Sequence, residues 1–434
     1  MTQVTVGHGT QRRESGPMQL RRLTGLGVVA ASVAALAACS DGDGGTPVIN
    51  VYGSTSDAGW TKILDACNAA AQGRYTIRPN LIPSDADSQR EQFVRRLAAR
   101  DEGMDVLGMD VTWTAEFAEA GWIRELTGEQ AQAATDGVLQ QPIDTATWKD
   151  KLYGIPRTTN VQLLWYRKSL VPDAPTTWQQ VVDRAQQLKS ENKPYVIGLT
   201  AAQYEGYVVG FNTILSSLGG TLVNEDSTKP TVDERTVEAL GILKSLATDG
   251  LASASLSNSQ EPEVFAQMQN GQAAFAINWP YMLSAMREAN PEVADDLGWT
   301  KLPQFKEGEP ARATLGGMNY AISTYSTHPD LAFDAAMCLR NPEAELNGAL
   351  DAGNVPVLEE VFDDPEFQEA YPMYEDILAE LETAVPRPKT PLYQNISTIV
   401  SSTLSPPSQI DPQRTADTLR TEIQDAIDGK GILP

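Results

Sequence analysis

Residues 46–110 alternate between strand-like and helix-like segments, and this alternation constrains the fold most. VINVYG is rich in β-branched and aromatic residues, as buried strands are, and two further strand-like segments follow it, YTIRPNLIP and MDVLGMD. Between these segments, WTKILDACNAA and SQREQFVRRLAARD carry apolar residues at helical spacing. The order strand, helix, strand, helix, strand is typical of a parallel sheet covered by helices. The sequence therefore predicts an α/β fold.

A second set of strands and helices begins near residue 160. The strand-like segments are NVQLLWYR, VIGLT, QAAFAINWP and GGMNYAIS, and the helical ones include PTTWQQVVDRAQQLKS, GYVVGFNTILSSLGG and HPDLAFDAAMCLRNPE. From Asn354 onward the pattern is helical and acidic. A chain of 434 residues exceeds what one hydrophobic core usually holds, so we expect two lobes.

The N-terminal part contains an apolar run, Leu23–Ala38, that ends at Cys39. This run is shorter than the roughly 20 residues of a membrane-spanning helix and follows Arg21 and Arg22, as the apolar core of a signal peptide does. LAAC, ending at Cys39, resembles the bacterial lipobox, which implies removal of residues 1–38 and a lipid on the Cys39 thiol. The alternative is an ordinary signal peptide with a chance cysteine. The Gly, Asp and Ser residues that follow predict a flexible tether.

Charge and histidine content exclude several functions. Residues 1–38 contain four Arg and one Glu, so their removal changes the formal charge from −24 to −27. Such an acidic chain repels phosphate backbones, and we expect no nucleic-acid partner, whereas a neutral ligand is not disfavoured. His8 and His328 are the chain's histidines. A histidine-based metal site or a Ser–His–Asp triad needs more, so we predict no metal and no cofactor, with His328 at a helix start or on the surface.

Two further cysteines, Cys67 and Cys338, lie in segments with helical patterns. An exported chain enters an oxidising compartment, where cysteines form disulfides. The sequence leaves two alternatives open, one disulfide between them or two buried thiols.

Four blocks in chain order resemble the extracytoplasmic solute-binding proteins of sugar ABC transporters. They are MDVLGMDVTWTAEFAEAGWIRELT, KLYGIPRTTNVQLLWYRKSLV with PTTWQQVVDRAQQL, FAQMQNGQAAFAINWPY, and GGMNYAISTYSTHPDLAFDAAMCLRNPEAE. The resemblance implies a type II periplasmic-binding-protein fold, in which two α/β lobes joined by a hinge enclose a ligand cleft. More narrowly, DVTWTAEFAEAGW, INWP, GGMN, RPKTPLYQ and the two helix cysteines are similar to the trehalose-binding lipoproteins of actinobacteria. This implies a disaccharide ligand, trehalose in first place.

The resemblance also divides the chain. It implies a lipoprotein signal peptide at residues 1–38 and a lipid-anchored tether at 39–46. Lobe 1 is expected at residues 47–159 and 316–350, and lobe 2 at residues 160–315 and 351–434.

A sugar-binding site needs carboxylates that accept, amides and guanidinium groups that donate, and an aromatic face for the sugar ring. Ligands on α/β sheets gather at the carboxyl ends of strands. That rule selects Asp110 and the loop after the first strand, which holds Ser54, Thr55, Ser56 and Asp57. Asn160, at the crossing between the lobes, is a further candidate because its amide can both donate and accept. The alternative is a helix cap for Asp110 and Asp57, and a loop hydrogen bond for Asn160.

Further candidates depend partly on the resemblance. It implies that the Trp279 ring stacks on the sugar, although a core Trp is the default, and that Glu261 contacts the ligand, although a solvated Glu is the alternative. Gly316 and Gly317 permit close backbone approach to the ligand, or simply begin a strand. The remaining candidates are Met318, Glu205 and Arg387. Arg387 stands between two prolines, which restrict the backbone and so fix the position of its side chain. The alternative for Arg387 is an ion pair on the surface.

The expected function is capture of a sugar without chemistry. The partners would be the sugar and the permease subunits of an ABC importer, with the protein monomeric and anchored on the extracytoplasmic face of the cell membrane. One rival reading is a glycoside hydrolase that uses Asp110 and Glu261 as acid and base. Another is a surface adaptor that binds no sugar, and a third is a binding protein for maltose-type oligosaccharides.

Overall fold

The computed structural model describes residues 45–53 and 60–430. The signal peptide, Cys39 and most of the predicted tether lie outside the described residues. The same holds for four predicted ligand-binding residues, Ser54, Thr55, Ser56 and Asp57.

The strands are short, and seven of them follow segments that the sequence predicts, whereas β4, β5, β6 and β10 were not predicted. They are β1 Val48–Gly53, β2 Thr76–Leu81, β3 Val106–Asp110, β4 Thr147–Trp148, β5 Lys151–Leu152, β6 Ile155–Asn160, β7 Leu163–Arg167, β8 Val196–Gly198, β9 Ala273–Asn278, β10 Leu297–Thr300 and β11 Gly316–Ile322.

The helices occupy most of the remaining chain, and those after residue 354 form the predicted helical C-terminal part. They are α1 Trp60–Ala70, α2 Ala86–Ala98, α3 Thr114–Glu119, α4 Gly128–Thr135, α5 Gln140–Thr145, α6 Trp178–Ser190, α7 Glu205–Ser217, α8 Glu234–Thr248, α9 Glu261–Gln269, α10 Tyr281–Ala289, α11 Pro291–Asp296, α12 Pro329–Cys338, α13 Pro342–Ala352, α14 Glu359–Phe362, α15 Pro365–Ala370, α16 Tyr374–Thr383, α17 Tyr393–Thr403 and α18 Pro412–Ile427.

The first sheet has the strand order β2-β1-β3-β11-β6. Strand β1 pairs in parallel with β2 and β3, as predicted, but β11 runs antiparallel to both β3 and β6. The expectation of a parallel sheet is therefore wrong for this edge, because β11 enters the sheet from far along the chain, where local patterns carry no information about direction. Strand β6 was also missed as a strand, and its Pro156 is tolerated because β6 lies at the sheet edge.

Helices cover both faces of the first sheet. On one face, Ile49 of β1 and Val106 of β3 pack with helices α1 and α12. On the other face, the neighbouring residue Leu107 packs with α2 and with Trp113 and Phe117 beside it. Successive strand residues point to opposite faces, which explains why one strand contributes to two cores.

The second sheet has the order β10-β7-β9-β8 and its own cores. Its strands β7 and β9 are buried among α6, α9, α10 and α14–α16. Helices α7, α8, α17 and α18 form an adjoining apolar cluster. We use lobe 1 for the elements packed on the first sheet and lobe 2 for those packed on the second. The residue boundaries of the lobes stay a prediction.

A disulfide joins Cys67 of α1 to Cys338 of α12. The structure thus has the first of the two arrangements that the sequence leaves open. Because both helices pack on the same face of the first sheet, the bond links residues that are 271 positions apart within one core.

None of the helices between residues 60 and 430 is both long and apolar enough to span a bilayer. In the same part of the chain, no three His, Cys, Asp or Glu side chains come together in a way that could hold a metal ion. His328 is exposed and stands directly before α12, at its cap position.

Candidate functional site

A cavity of about 340 Å³ opens where the two lobes meet. On the lobe 1 side it is bounded by the ends of β3 and β6 and the start of β11, which lie at one edge because β11 is antiparallel to its neighbours. On the lobe 2 side it is bounded by the first residues of α7 and α9 and by the residue after β9. All predicted ligand-binding residues that the structure describes line this cavity: Asp110, Asn160, Glu205, Glu261, Trp279, Gly316, Gly317, Met318 and Arg387.

The two glycines at the start of β11 are required by close packing. A Cβ on Gly317 would lie 2.3 Å from the carbonyl oxygen of Thr158, and its φ of +131° is one that side chains rarely adopt. A Cβ on Gly316 would lie 2.9 Å from the Trp279 ring. The glycines therefore let the ring of a lobe 2 residue pack directly on the backbone of lobe 1.

Asp110 is the last residue of β3, and it does not cap the following helix. Helix α3 begins at Thr114 with Trp113 at the cap position. The Oδ1 atom of Asp110 accepts hydrogen bonds from the backbone N–H and the hydroxyl of Thr112, at 2.9 and 2.8 Å. Its side chain is 22% exposed, so the carboxylate keeps access to the cavity.

Arg387 is a buried cation that reaches both lobes. Its side chain is 2% exposed, and its Nη1 donates to Glu205 Oε1 at 2.5 Å. Its Nη2 donates at 3.4 Å both to Asp110 Oδ1 and to the carbonyl of Leu315. Burial lowers the pKa of the guanidinium, but the nearby negative charges outweigh burial and raise the pKa above its usual value.

Glu205 holds Arg387 and leaves no carboxylate oxygen without a protein donor. Its Oε1 also accepts from the hydroxyl of Tyr393 at 2.5 Å, and its Oε2 accepts from the hydroxyl of Ser397. Burial raises the pKa of Glu205, and the charge of Arg387 opposes that rise. The geometry thus assigns Glu205 to positioning the guanidinium, although the residue lines the cavity.

Glu261 begins α9 and is held by aromatic side chains. The hydroxyl of Tyr204 donates to its Oε2, and Trp279 Nε1 donates to its Oε1 at 3.5 Å. Burial raises the pKa of Tyr204, and the charge of Glu261 adds to the rise. Tyr204 therefore stays protonated and donates its hydrogen bond. The bond from the indole N–H to Glu261 fixes the orientation of the Trp279 ring.

Asn160 ends β6 and pairs with Gly316 of β11. Its Oδ1 is buried without a hydrogen-bond partner among the described residues. An unpaired buried acceptor costs about 1–3 kcal/mol, so this oxygen is suited to receive a ligand hydroxyl.

A wider groove of about 1010 Å³ adjoins the cavity and shares Asn160, Glu261 and Trp279 with it. Phe265 and Tyr281 line the groove as a stacked pair whose ring centroids are 6.3 Å apart. The site therefore continues beyond the polar cavity along an aromatic wall.

The family model for bacterial extracellular solute-binding proteins matches residues 53–345, more than half of the chain. The chain is a bacterial extracellular solute-binding protein. The solute-binding protein is 26% identical over 365 residues to a probable ABC transporter-binding protein of Deinococcus radiodurans, covering 78% of this chain and 86% of that one. It is 24% identical over 310 residues to the galactooligosaccharide-binding protein of Bacillus subtilis, covering 68% and 70% of the two chains.

The solved structure of maltose-bound MalE3 from T. maritima has a TM-score of 0.79 to this solute-binding protein, at 24% identity, covering 87% of this chain and 99% of that one. This likeness confirms the type II fold with its two α/β lobes and interlobe cleft. Because this family consists of binding proteins, the prediction that the chain is not an enzyme is also confirmed, and the glycoside hydrolase reading of Asp110 and Glu261 is not retained.

Several residues at the site of the solute-binding protein escaped the sequence analysis. Ser84 and Asp85 follow β2, and the strand-end rule that selects Asp110 would have found them. Tyr204 directly precedes the predicted Glu205. Five further polar residues carry no comparable signal, three at the cavity and two hydroxyl donors to Glu205: Thr158, Gln260, Asn354, Tyr393 and Ser397.

Proposed function

We propose that this solute-binding protein captures a disaccharide, trehalose in first place, and delivers it to the permease of an ABC importer. The observation that carries the proposal is the cavity of about 340 Å³ between the lobes, which lies at the low end of the ~300–1,000 Å³ of small-molecule sites. The relatives support a carbohydrate, because one is a galactooligosaccharide-binding protein and one structural neighbour holds maltose.

The chemistry of the cavity suits an uncharged polyhydroxyl ligand. Asp110, Glu261 and Asn160 offer acceptors for hydroxyl groups, and the Trp279 ring offers an apolar face for a sugar ring. Arg387 is already compensated by two carboxylates, so the cavity keeps no unpaired cation that would attract an anionic solute. These features favour a neutral sugar over a sugar acid or a phosphate ester.

Capture would proceed by closure of the lobes around the sugar. Closure requires that the sugar bind the closed form better than the open one. A sugar of the wrong shape would leave polar groups such as Asn160 Oδ1 without a hydrogen-bond partner. Each unpaired group would cost about 1–3 kcal/mol of binding free energy, and this penalty would give the specificity.

Titration calorimetry against trehalose, maltose, lactose and glucose tests the proposal. We expect tight binding of trehalose, with Trp279→Ala and Asp110→Ala each weakening it by more than about 1 kcal/mol, as expected for residues central to a site. The control variant Glu91→Ala removes an exposed carboxylate of α2 that pairs with Arg95, and it should bind as the wild type does. A protein that binds none of these sugars, and whose melting temperature none of them raises, would instead fit the surface-adaptor reading.

A longer α-glucoside is the second candidate ligand, favoured by the groove that continues from the cavity. Its stacked pair, Phe265 and Tyr281, provides a further aromatic surface beyond Trp279. Phe265→Ala separates the candidates, because it should weaken binding of maltotriose while leaving trehalose unaffected. If maltotriose binds more tightly than trehalose, and loses this advantage in the variant, the disaccharide proposal fails.

We further propose that a lipid on Cys39 holds the protein, as a monomer, on the extracytoplasmic face of the cell membrane. The lipobox-like LAAC segment and the polar residues after it support this placement. Mass spectrometry of the mature N-terminal peptide should give a diacylglycerol-modified Cys39, and Cys39→Ala should release the protein from the membrane fraction. An unmodified N-terminus at another residue would contradict the anchor.

A further inference from the structure

The first turn of α2 extends from lobe 1 to lobe 2. The body of the helix belongs to lobe 1, where Phe93 and Leu97 are buried against the first sheet. At its start, Asp87 faces the other lobe. Asp87 Oδ1 accepts a hydrogen bond from Gln394 Nε2 at 3.1 Å.

The donor to Asp87 belongs to lobe 2. Gln394 lies on α17, is only 9% exposed, and stands two residues before Ile396, which packs in the cluster that α7 and α17 share. The contact therefore joins the two lobes directly, without a ligand between them.

Asp87 is half-buried at this contact. Burial raises the pKa of Asp87, while the hydrogen bond from Gln394 and the nearby backbone N–H of Glu205 oppose the rise.

We infer that Asp87 stabilises the closed form of the protein through its hydrogen bond from lobe 1 to Gln394 of lobe 2. When the lobes part, water can satisfy both side chains, so the contact contributes only to the closed form. The contact also lies beside the ligand site, because Gln394 directly follows Tyr393, whose hydroxyl donates to Glu205.

Asp87→Ala tests this inference, with Asp330→Ala as a matched control. Asp330 is likewise the second residue of a helix on the first sheet, and it accepts from the side-chain amide of Gln130, but that contact stays within lobe 1. We expect Asp87→Ala to raise the Kd for the bound sugar about tenfold, equivalent to ~1.4 kcal/mol, through faster dissociation. Asp330→Ala should leave the Kd and the dissociation rate unchanged.

A double-mutant cycle distinguishes a direct contact between Asp87 and Gln394 from two independent structural effects. Gln394→Ala should also weaken binding, and the double variant with Asp87→Ala should lose less than the two single losses combined. Strict additivity of the two losses, together with a wild-type dissociation rate in Asp87→Ala, would overturn the inference.

The affinity measurement rests on the proposed sugar-binding function, so a second measurement is made without sugar. The distribution of interlobe distances in the free protein, measured by electron paramagnetic resonance between spin labels on the two lobes, should contain a smaller closed population in Asp87→Ala than in the wild type, and an unchanged one in Asp330→Ala. If no sugar binds the wild type, the proposed function fails while the distance distributions still test the closure contact. If the closed population is the same in all three proteins, the closure contact fails even though sugar binds.

Discussion

Replacing Glu205 with Gln removes one negative charge from the network around Arg387 while keeping the shape of the side chain. Arg387 is almost fully buried and would keep only Asp110, at 3.4 Å, as a charged partner. Breaking a buried ion pair by removing one partner costs about 3–5 kcal/mol. Because Asp110 remains, we expect a loss near the lower end, about 3 kcal/mol, from a total stability of roughly 5–15 kcal/mol.

The loss should be measured by urea unfolding followed by tryptophan fluorescence. Glu119→Gln is the matched control, since Glu119 pairs with Lys149 on the surface, where both side chains are about half exposed. Exposed pairs contribute little, so this control should unfold at the wild-type urea concentration. The variant Tyr393→Phe removes only the hydroxyl donor to Glu205 and should fall between the control and Glu205→Gln.

Sugar affinity gives the second readout for Glu205→Gln. If Glu205 positions Arg387, its loss should weaken binding as well as stability. If Glu205→Gln unfolds at the wild-type urea concentration, the negative charge of Glu205 does not stabilise the folded protein, and the reasoning is refuted. A variant that is less stable but binds sugar normally would show that Arg387 does not depend on Glu205 for its role in the cavity.

Three further perturbations have defined outcomes. Gly317→Ala should destabilise the protein by more than about 1 kcal/mol, because its φ of +131° and its approach to Thr158 leave no room for a Cβ, and urea unfolding measures this. Burial raises the pKa of Glu345 to about 8, so the folded state binds a proton that the unfolded state releases near pH 4.5. Wild-type stability should therefore fall between about pH 5 and 8, by at most ~1.4 kcal/mol per pH unit from this group, and Glu345→Gln should flatten that slope. Double replacement of Cys67 and Cys338 by Ala should cost about 2–4 kcal/mol of stability in the same assay.

Elements with strong local patterns could be predicted from the sequence. Strand β1 and helix α1 have the bounds of VINVYG and WTKILDACNAA, because the apolar spacing and the flanking loop act within one short segment. The direction of β11 could not be predicted, since it depends on pairing with β3, about 200 residues earlier in the chain. Strand β6 was missed because IPRTTN is polar and contains a proline, which only an edge position tolerates.

The candidate site shows the same division. Asp110, at the end of a predicted strand, follows from a general rule about α/β sheets, whereas Asn160 was selected for its amide at the lobe crossing. The carboxylate of Glu205 also lies at the cavity, but its partners do not follow from the sequence, because Tyr393 and Ser397 are 188 and 192 residues away and look like ordinary helix residues. Their spacing of four places both hydroxyls on one face of α17, which becomes informative only when the facing residue is known.

Arg387 links closure of the lobes to the chemistry of the cavity. The side chain of Glu205 in lobe 2 holds Arg387, which in turn reaches Asp110 of lobe 1. Substitutions in this network should therefore change stability and affinity together. Asn160 and Trp279 face the cavity outside the network, so changes there should reduce affinity at nearly constant stability. A plot of affinity against stability across both sets of variants should thus give two separate groups, and a single common line would mean that the protein does not separate closure from ligand contact.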